Sequence, residues 1–323
     1  MKILVTADVH LGFRALGKVE RGINVRERDT YEAFFRVLEV VHRERPDVVF
    51  IAGDLFDSRR PSVDAYNVAF EVLSYFPPTY IVAGNHDNDS PFNRSPLRVL
   101  PRRLPNVRVF LKPGIERVGD LTVFFLPYLE NPYFEPADLL LCHVRDVRVK
   151  RYRDAIRVKN ELYRFCFSGD LHMFTEVDRN FVYVGPPERF TFEQEGHPVG
   201  VCVYDTEREK LDYIELPGRK FVTLHDPPDD LQSLEGAVVR VVLQGQPSEY
   251  EWLKDLKKVA LSVSVTWQKP DKQVVQEEIQ ISKGNLFERF EEFVSQRSFS
   301  QKAVELARTA LRSAYELEQS KSH

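Results

Sequence analysis

The sequence has few cysteines, no excess of positive charge and no long apolar run, and each absence excludes a class of protein. The three cysteines, Cys142, Cys166 and Cys202, are widely separated and set in apolar runs, which argues against a disulfide framework or a zinc site. The formal net charge is −4, so a surface that binds a polyanion has to be local. No apolar run approaches the length of a membrane span, and a first strand expected from Lys2 leaves no room for a signal peptide. The sequence therefore predicts a cytoplasmic protein without membrane association.

The order of apolar patterns predicts a layered α/β core. At 323 residues the chain is long for one domain, so a main domain with a smaller appendage is expected. Helical periodicity over residues 29–43 and 62–75 alternates with strand-like runs, which is typical of parallel strands joined by helices. Later short strands predict a second, more antiparallel sheet packed on the first; they are expected at residues 120–126, 181–184 and 199–204.

The pattern changes after residue 217. Three expected strands surround one expected helix at residues 249–258, which predicts a small α+β unit. Two amphipathic helices follow from Gly284 onward. We therefore predict a main domain over residues 1–217, an α+β domain over 218–282 and a C-terminal helical segment over 283–323.

Five short clusters of Asp, His and Asn each follow an apolar run of strand length. A buried strand that ends in such a side chain brings it to one edge of a sheet, so five such endings predict a complete set of metal ligands at that edge. The pattern indicates a metal centre that hydrolyses phosphoesters. The clusters are Asp8-Val9-His10, Gly53-Asp54, Gly84-Asn85-His86-Asp87, Cys142-His143 and Gly169-Asp170-Leu171-His172.

The residue types in these clusters fit a site for two metal ions. Two ions about 3.5–4 Å apart generate hydroxide at neutral pH and stabilise the charge on phosphorus. A mixed nitrogen and oxygen shell favours Mn²⁺, Fe²⁺ or Zn²⁺ over Mg²⁺. The predicted ligands are Asp8, His10 and His172 for the first ion, Asn85 and His143 for the second, and Asp54 between them.

Two further residues of the third cluster have predicted catalytic roles. His86 is expected to contact a phosphate oxygen or to protonate the leaving group. Asp87 is expected to orient the imidazole of His86.

These motifs resemble those of the calcineurin-type metallophosphoesterase superfamily. The residues that follow the second cluster, Asp57 and then Pro61-Ser62, make this part of the sequence most similar to the SbcD branch of the superfamily. SbcD is the nuclease subunit of a double-strand-break repair complex. A weaker resemblance over residues 216–221 and 236–245 is to the opening of that family's capping domain.

The resemblance implies a fold and an activity. It implies a two-sheet sandwich with flanking helices, an α+β capping domain and a C-terminal helical segment. It also implies Mn²⁺-dependent exonuclease and endonuclease activity on DNA in repair and recombination, a homodimer, and an SbcC-type coiled-coil ATPase as partner. Two alternatives stay open: a phosphoesterase for a small nucleotide or a phosphoprotein, and a scaffold that keeps the fold without the chemistry.

The sequence departs from the family pattern at two positions. Cys142 stands where the family has glycine, which is compatible with the fold if the backbone there does not need positive φ. Asp170 stands where the family has a histidine ligand of the second ion. We predict that Asp170 ligates that ion in its place; the alternative is a weak or empty second site.

Local basic segments near the predicted ligands are the argument for DNA. Residues 145–164 hold eight basic and three acidic side chains, a net charge of +5, between the fourth and fifth clusters. The alternative is a solvated surface in which these arginines pair with acids. The predicted DNA-binding residues are Arg14, Arg94, Arg145, Arg148, Lys150, Arg151 and Arg153.

The C-terminal helices carry an aromatic and aliphatic stripe. The resemblance implies that it docks on the coiled coil of the ATPase partner. The alternative is packing on the capping domain. The predicted partner-binding residues are Phe287, Phe290, Phe293 and Leu311.

Overall fold

The computed structural model describes residues 1–87, 95–129, 131–149, 155–243 and 251–267, together with residues 290, 291, 294, 301, 304, 305 and 307–309. The chain forms two compact units, Met1–Trp267 and Gln268–His323. The domain boundaries at residues 217 and 282 stay a prediction, and part of the predicted capping domain, residues 244–250 and 268–282, lies outside the described residues.

The elements of the first unit alternate between strands and helices in its first part and are mainly strands after that. The α-helices are α1 (Val25–Glu44), α2 (Val63–Ser74), α3 (Leu100–Arg103) and α4 (Trp252–Val259). Short 3-10 helices span Pro96–Val99, Asn160–Leu162, Phe192–Gln194 and Gln232–Leu234. The strands are β1 (Lys2–Thr6), β2 (Val19–Glu20), β3 (Ile23–Asn24), β4 (Val48–Ala52), β5 (Thr79–Val82), β6 (Val107–Phe110), β7 (Gly114–Val118), β8 (Leu121–Leu126), β9 (Leu139–His143), β10 (Phe165–Gly169), β11 (Thr175–Asp178), β12 (Phe181–Tyr183), β13 (Val199–Asp205), β14 (Lys210–Leu216), β15 (Phe221–Leu224), β16 (Val238–Leu243) and β17 (Ser262–Trp267).

Side-chain caps determine where the two long helices begin. Asn24 accepts hydrogen bonds from the backbone N–H groups of Arg26 and Glu27, so α1 begins at Val25, earlier than the predicted residue 29. Ser62 accepts from the N–H of Ala65, and α2 follows at Val63 as predicted.

Two six-stranded sheets form the main body, and the predicted two-sheet α/β sandwich is confirmed. The first sheet has the order β14-β13-β1-β4-β5-β6 and the second β11-β12-β10-β9-β8-β7. One apolar core lies between the sheets and includes Val5, Phe50, Leu141 and Phe167. Another lies between the first sheet and helices α1 and α2.

The polarity of the second sheet differs from the prediction. Its central strands β8, β9, β10 and β12 are parallel, and only the edge strands β7 and β11 pair antiparallel. The strand predicted for this sheet at residues 199–204 lies instead in the first sheet, where β13 pairs antiparallel with β1. The central strands are buried on both faces, which is the normal environment of parallel strands.

A smaller sheet with its own core follows the sandwich. Strands β15, β16 and β17 are parallel, and α4 packs on them through Leu256 and Trp252. Arg219 ties this part to the sandwich, because it donates to Asp29 of α1 and to the carbonyl oxygen of Gly236. Within the residues that the structure describes, no helix combines the length and the apolar character that a membrane crossing requires.

Candidate metal centre

The five predicted clusters lie at the carboxyl ends of parallel strands and meet at one edge of the sandwich. Backbone hydrogen bonds join the first two, from Asp8 N to Gly53 O at 3.0 Å and from His10 N to Asp54 O at 3.0 Å. A bond from Asp170 N to Asp8 Oδ1, also 3.0 Å, joins the two sheets. The fold therefore brings segments distant in sequence into one site.

Asp8, His10 and His172 form the first group of donor atoms. Nε2 of His10 lies 3.1 Å from Nε2 of His172, and Oδ1 of Asp8 lies 4.0 Å from the same atom of His172. One donor atom from each residue falls within 4.8 Å of the others, which is the arrangement expected around a divalent cation.

The second group surrounds His143. Its Nε2 lies 3.1 Å from Oδ1 of Asn85, 3.5 Å from Oδ2 of Asp54 and 3.7 Å from Oδ1 of Asp170. Its Nδ1 lies 2.8 Å from the carbonyl oxygen of Ala52. Because a carbonyl oxygen only accepts, Nδ1 carries a proton, and Nε2 is the ring nitrogen that faces the other three groups and that a cation would bind in place of its own proton.

Asp54 belongs to both groups. Its Oδ2 lies 3.8 Å from His10 Nε2 and 3.5 Å from His143 Nε2. Its Oδ1 accepts a hydrogen bond from the backbone N–H of His86, which fixes the carboxylate between the two groups. Asp54 would therefore be the ligand that two ions could share.

The residues present fit a pair of cations. Oδ2 of the fully buried Asp8 has no hydrogen-bond partner within the described part of the chain, and such an orphaned acceptor is costly unless a ligand satisfies it. The donor set combines imidazole nitrogens with carboxylate and amide oxygens, which suits Mn²⁺, Fe²⁺ or Zn²⁺.

The charges of the site act on one another. Burial and the neighbouring Asp54 raise the pKa of Asp8. Burial opposes charging of His143, but the carboxylates of Asp54, Asp8 and Asp170 prevail and raise its pKa to about 9. Burial and the nearby His10 lower the pKa of His172 to about 3. Without a cation, His143 therefore holds a proton that a metal would displace.

Two glycines leave room for these ligands. A Cβ added to Gly84 would lie 2.0 Å from Oδ1 of Asp54. A Cβ added to Gly53, whose φ is +89°, would lie 2.2 Å from Nδ1 of His143. Both positions therefore need glycine for close approach to the site.

Four candidate ligands have a left-handed backbone. The φ angles are 50° at Asp8, His10 and Asp54 and 84° at Asp170. Such a conformation costs on the order of 1–3 kcal/mol in a residue other than glycine. Cys142 lies in β9 outside this set, so its backbone does not require glycine.

His86 and Asp87 have different environments. His86 donates from Nδ1 to the carbonyl oxygen of Asp57 at 2.7 Å, and it forms a third possible metal group with His10 and Asp54. Asp87 is fully buried and accepts from the N–H groups of Leu55, Phe56 and Gly84. We expected Asp87 to orient the His86 imidazole; it instead holds the loop that carries Asp54, because three backbone donors occupy its carboxylate.

Two cavities at the site share Asn85 and His86 in their lining. One, of about 340 Å³, includes Asp54, Arg145 and His172 in its lining. The other, of about 550 Å³, includes Arg59 and Arg60 in its lining. A phosphodiester chain could therefore reach the candidate ligands from solvent.

Residues that the sequence reasoning missed support the ligands from behind. Oδ1 of Asp57 lies 3.2 Å from Nδ1 of His10. The ring of Phe190 lies 5.1 Å from that of His10 and 5.4 Å from that of His172, and Phe13 packs on Phe190. The position of Asp57, three residues after Asp54, was the available signal; no pattern marked Phe190.

The predicted DNA-binding residues divide into four sets. Arg145 lies at the smaller cavity and pairs with Asp170. Arg14 is exposed and pairs with Glu27. Arg148 forms an ion pair with the buried Asp146 and does not line either of the two cavities described above. The predicted residues outside the described part of the chain are Arg94, Lys150, Arg151 and Arg153.

One predicted partner-binding residue is described. Phe290 is helical and half-buried within the second unit. The others, Phe287, Phe293 and Leu311, lie outside the described residues, so partner docking stays a prediction.

Comparison with known proteins shows the family. The chain belongs to the calcineurin-like phosphoesterase family, whose profile matches residues 1–173. It is 31% identical over 156 residues to the DNA double-strand break repair protein Mre11 of Aeropyrum pernix, covering 45% of this chain and 37% of that protein. It is 26% identical over 162 residues to the SbcD subunit of the nuclease SbcCD of Staphylococcus epidermidis, covering 48% of this chain and 40% of that protein.

These matches span less than half the length of either relative. Among solved structures, TT1561 of Thermus thermophilus is similar with a TM-score of 0.44 and 14% identity, covering 67% of this chain and 99% of that one.

Proposed function

We propose that the chain is a DNA nuclease of the SbcD type that hydrolyses phosphodiester bonds with two Mn²⁺ ions. The observation that carries the proposal is the pair of donor groups that share the Asp54 carboxylate. When bound, two such ions would lower the pKa of an attacking water and offset charge on the phosphoryl oxygens. Nitrogen donors from His10, His143 and His172 support Mn²⁺ over Mg²⁺.

His86 is the residue we assign to the substrate phosphate. Its Nδ1 is held by the Asp57 carbonyl oxygen, so Nε2 is the ring atom available to a phosphate or leaving-group oxygen. His86 also lines both cavities. A phosphate that bridges them would pass this imidazole.

DNA as substrate is supported by local charge and by the relatives. Arg59 and Arg60, in the lining of the larger cavity, offer cations to a sugar-phosphate backbone, and Arg145 lines the smaller one. The two relatives described above are named as a double-strand break repair protein and as a nuclease subunit.

The proposal extends to partners. The relative named as one subunit of a nuclease supports an assembly with a second subunit, for which we propose an SbcC-type ATPase. We also propose a homodimer; Val63 and Tyr75, exposed apolar side chains at the two ends of α2, are compatible with one. A cytoplasmic location stays a prediction.

The test compares labelled linear duplex and single-stranded DNA with a p-nitrophenyl phosphodiester, in Mn²⁺ and in chelator. We expect Mn²⁺-dependent DNA cleavage that falls by about 100-fold or more in His86→Ala. The control is His42→Ala, an exposed histidine of α1, which should cleave like the parent. Calorimetry on His86→Ala should still show Mn²⁺ uptake.

Each alternative predicts a different result. Hydrolysis of the small ester without DNA cleavage would favour a small-substrate phosphoesterase. If neither compound were hydrolysed and no Mn²⁺ bound, the chain would be a scaffold and the proposal would fail.

A further inference from the structure

An ion pair joins the candidate second metal position to the smaller cavity. Nε of Arg145 donates to Oδ2 of Asp170 at 2.8 Å. The Asp170 side chain is 7% exposed and that of Arg145 28% exposed, so solvent screens this pair less than a surface pair. The other carboxylate oxygen, Oδ1, lies 3.7 Å from Nε2 of His143. The two oxygens of Asp170 therefore have separate partners.

The backbone on both sides of the pair is fixed. Strands β9 and β10 place His143 opposite Gly169, so the residues that follow them run side by side. The Ser168 hydroxyl contacts both the N–H and the carbonyl oxygen of Val144. The Tyr183 hydroxyl donates to the Val144 carbonyl oxygen and accepts from the N–H of Asp146.

Asp170 is fixed as well. Its N–H donates to Asp8 Oδ1 at 3.0 Å, and its φ of 84° turns the chain sharply after β10. A carboxylate and a guanidinium held by strands in this way keep their geometry with little loss of side-chain entropy on binding a ligand. The pair is thus built into the fold.

The pair changes what Asp170 offers to a cation. A free carboxylate can bind with two oxygens and a full negative charge. With Arg145 on Oδ2, only Oδ1 faces the group around His143, and the guanidinium offsets the charge of the carboxylate. The second position then receives its negative charge from Asp54 and the nearby Asp8, with Asn85 and His143 as neutral donors.

We propose that Arg145 is a positioning residue that makes Asp170 a neutral, one-oxygen donor to the second cation. The inference rests on the proposed metal centre. It accounts for an aspartate at a position where the predicted donor was an imidazole, because an Arg–Asp pair, like an imidazole, offers one donor atom and no net charge. Arg145 therefore sets how tightly the second ion binds.

The test measures Mn²⁺ stoichiometry and affinity by calorimetry, and spin coupling between two Mn²⁺ ions by electron paramagnetic resonance. In Arg145→Met, the uncompensated carboxylate should bind the second ion at least tenfold more tightly. In Asp170→Asn, the remaining guanidinium should repel it, and the affinity should fall at least tenfold. The double variant Asp170→Asn/Arg145→Met again offers a neutral donor, so its affinity should return to within about threefold of the parent.

The control removes an arginine–carboxylate pair of the same length on the exposed surface. Arg164 donates to Glu209 at 2.8 Å on the exposed surface, and Arg164→Met should leave both Mn²⁺ affinities unchanged. Arg145→Gln serves as a second neutral variant if Arg145→Met does not fold, with the same expected gain. If the second ion of the parent binds too weakly to register, either variant should bring it into range.

The outcomes separate this inference from the proposed function. Unchanged or weaker second-ion binding in the neutral Arg145 variants would overturn the role of Arg145 while the metal centre stands. A double variant that stays as weak as Asp170→Asn would do the same, because it would show that the pair serves only structure. A folded parent that takes up no Mn²⁺ would overturn both.

Discussion

Oδ1 of Asp57 lies 3.2 Å from Nδ1 of His10, on the opposite side of the imidazole from the Nε2 atom that faces His172. If Nε2 ligates a cation, Nδ1 carries the ring proton and donates a hydrogen bond to Asp57. This hydrogen bond fixes the ring and makes Nε2 a stronger metal ligand. Burial alone would lower the pKa of His10, but the hydrogen bond to Asp57 and the charge of Asp54 raise it. Asp57 is therefore part of the site.

Removing Asp57 should weaken metal binding without unfolding the protein. We expect Asp57→Ala to lower the affinity for the first Mn²⁺ by about 10–100-fold. Asp57→Asn keeps a hydrogen-bond acceptor and should lower this affinity by less. Calorimetric titration measures both, and Asp64→Ala, an exposed aspartate of α2, is the control. Equal affinity in Asp57→Ala and the parent would show that the contact does not support His10.

Metal should stabilise the folded chain. An ion present at 100 times its dissociation constant adds about 2.7 kcal/mol to the free energy of unfolding. For a unit of this size that corresponds to a rise in Tm of roughly 5–10 °C per ion. Differential scanning calorimetry in Mn²⁺ and in chelator measures the rise. Mg²⁺ at the same concentration should give a smaller one, since imidazole donors suit it poorly. An identical Tm in Mn²⁺ and chelator would contradict the donor assignment.

The metal-free protein should lose stability as pH rises from 6.5 to 9. The pKa of His143 is raised from its ordinary 6.5 to about 9, so in this window the folded state holds a proton that the unfolded state has released. The free energy of unfolding therefore falls with rising pH. His172, with a pKa lowered to about 3, opposes this trend only below pH 6.5.

Thermal melts in chelator across this pH range test the effect. The slope should flatten in saturating Mn²⁺, because the cation replaces the His143 proton. A metal-free Tm that stays level or increases from pH 6.5 to 9 would count against the charges assigned to the site.

Gly84→Ala should disable the site while leaving the sheets intact. The added Cβ would lie 2.0 Å from Oδ1 and 2.5 Å from the backbone nitrogen of Asp54, so the shared carboxylate has to move. Overpacking of this kind costs about 1–3 kcal/mol. We expect both Mn²⁺ affinities to fall at least tenfold. Gly114→Ala is the control, because its Cβ would meet nothing closer than 4.0 Å.

Much of the site could be predicted because parallel strands bring their carboxyl ends to one edge. Asp8, Asp54 and Asn85 each follow a strand of the first sheet, and His143 ends a strand of the second, so local pattern was enough to group them. The pairs around them were not visible in the sequence. The contact of Arg145 with Asp170 depends on the register of β9 against β10, and no local pattern encodes that register.

In the fold, too, local patterns could be predicted and long-range pairings could not. Apolar runs indicated the strands, but the placement of β13 beside β1 depends on pairing between residues about 200 positions apart. The early start of α1 depends on one side chain, Asn24, whose capping signal lies outside the helical periodicity. Phe190 could not be predicted for a related reason: its contacts with His10 and His172 come from a loop without a motif.

The left-handed backbone at Asp8 implies a conflict between durability and chemistry. Asparagine tolerates that conformation, keeps an acceptor for Asp170 N and removes a buried charge beside Asp54. In chelator above pH 7, the Tm of Asp8→Asn should be a few degrees higher than that of the parent. Mn²⁺ should raise the Tm of the variant by less than it raises that of the parent. A lower Tm of the variant in chelator would contradict this prediction. A library screened for heat resistance alone would thus enrich variants with a weakened metal centre, so such a screen needs a selection for metal binding beside it.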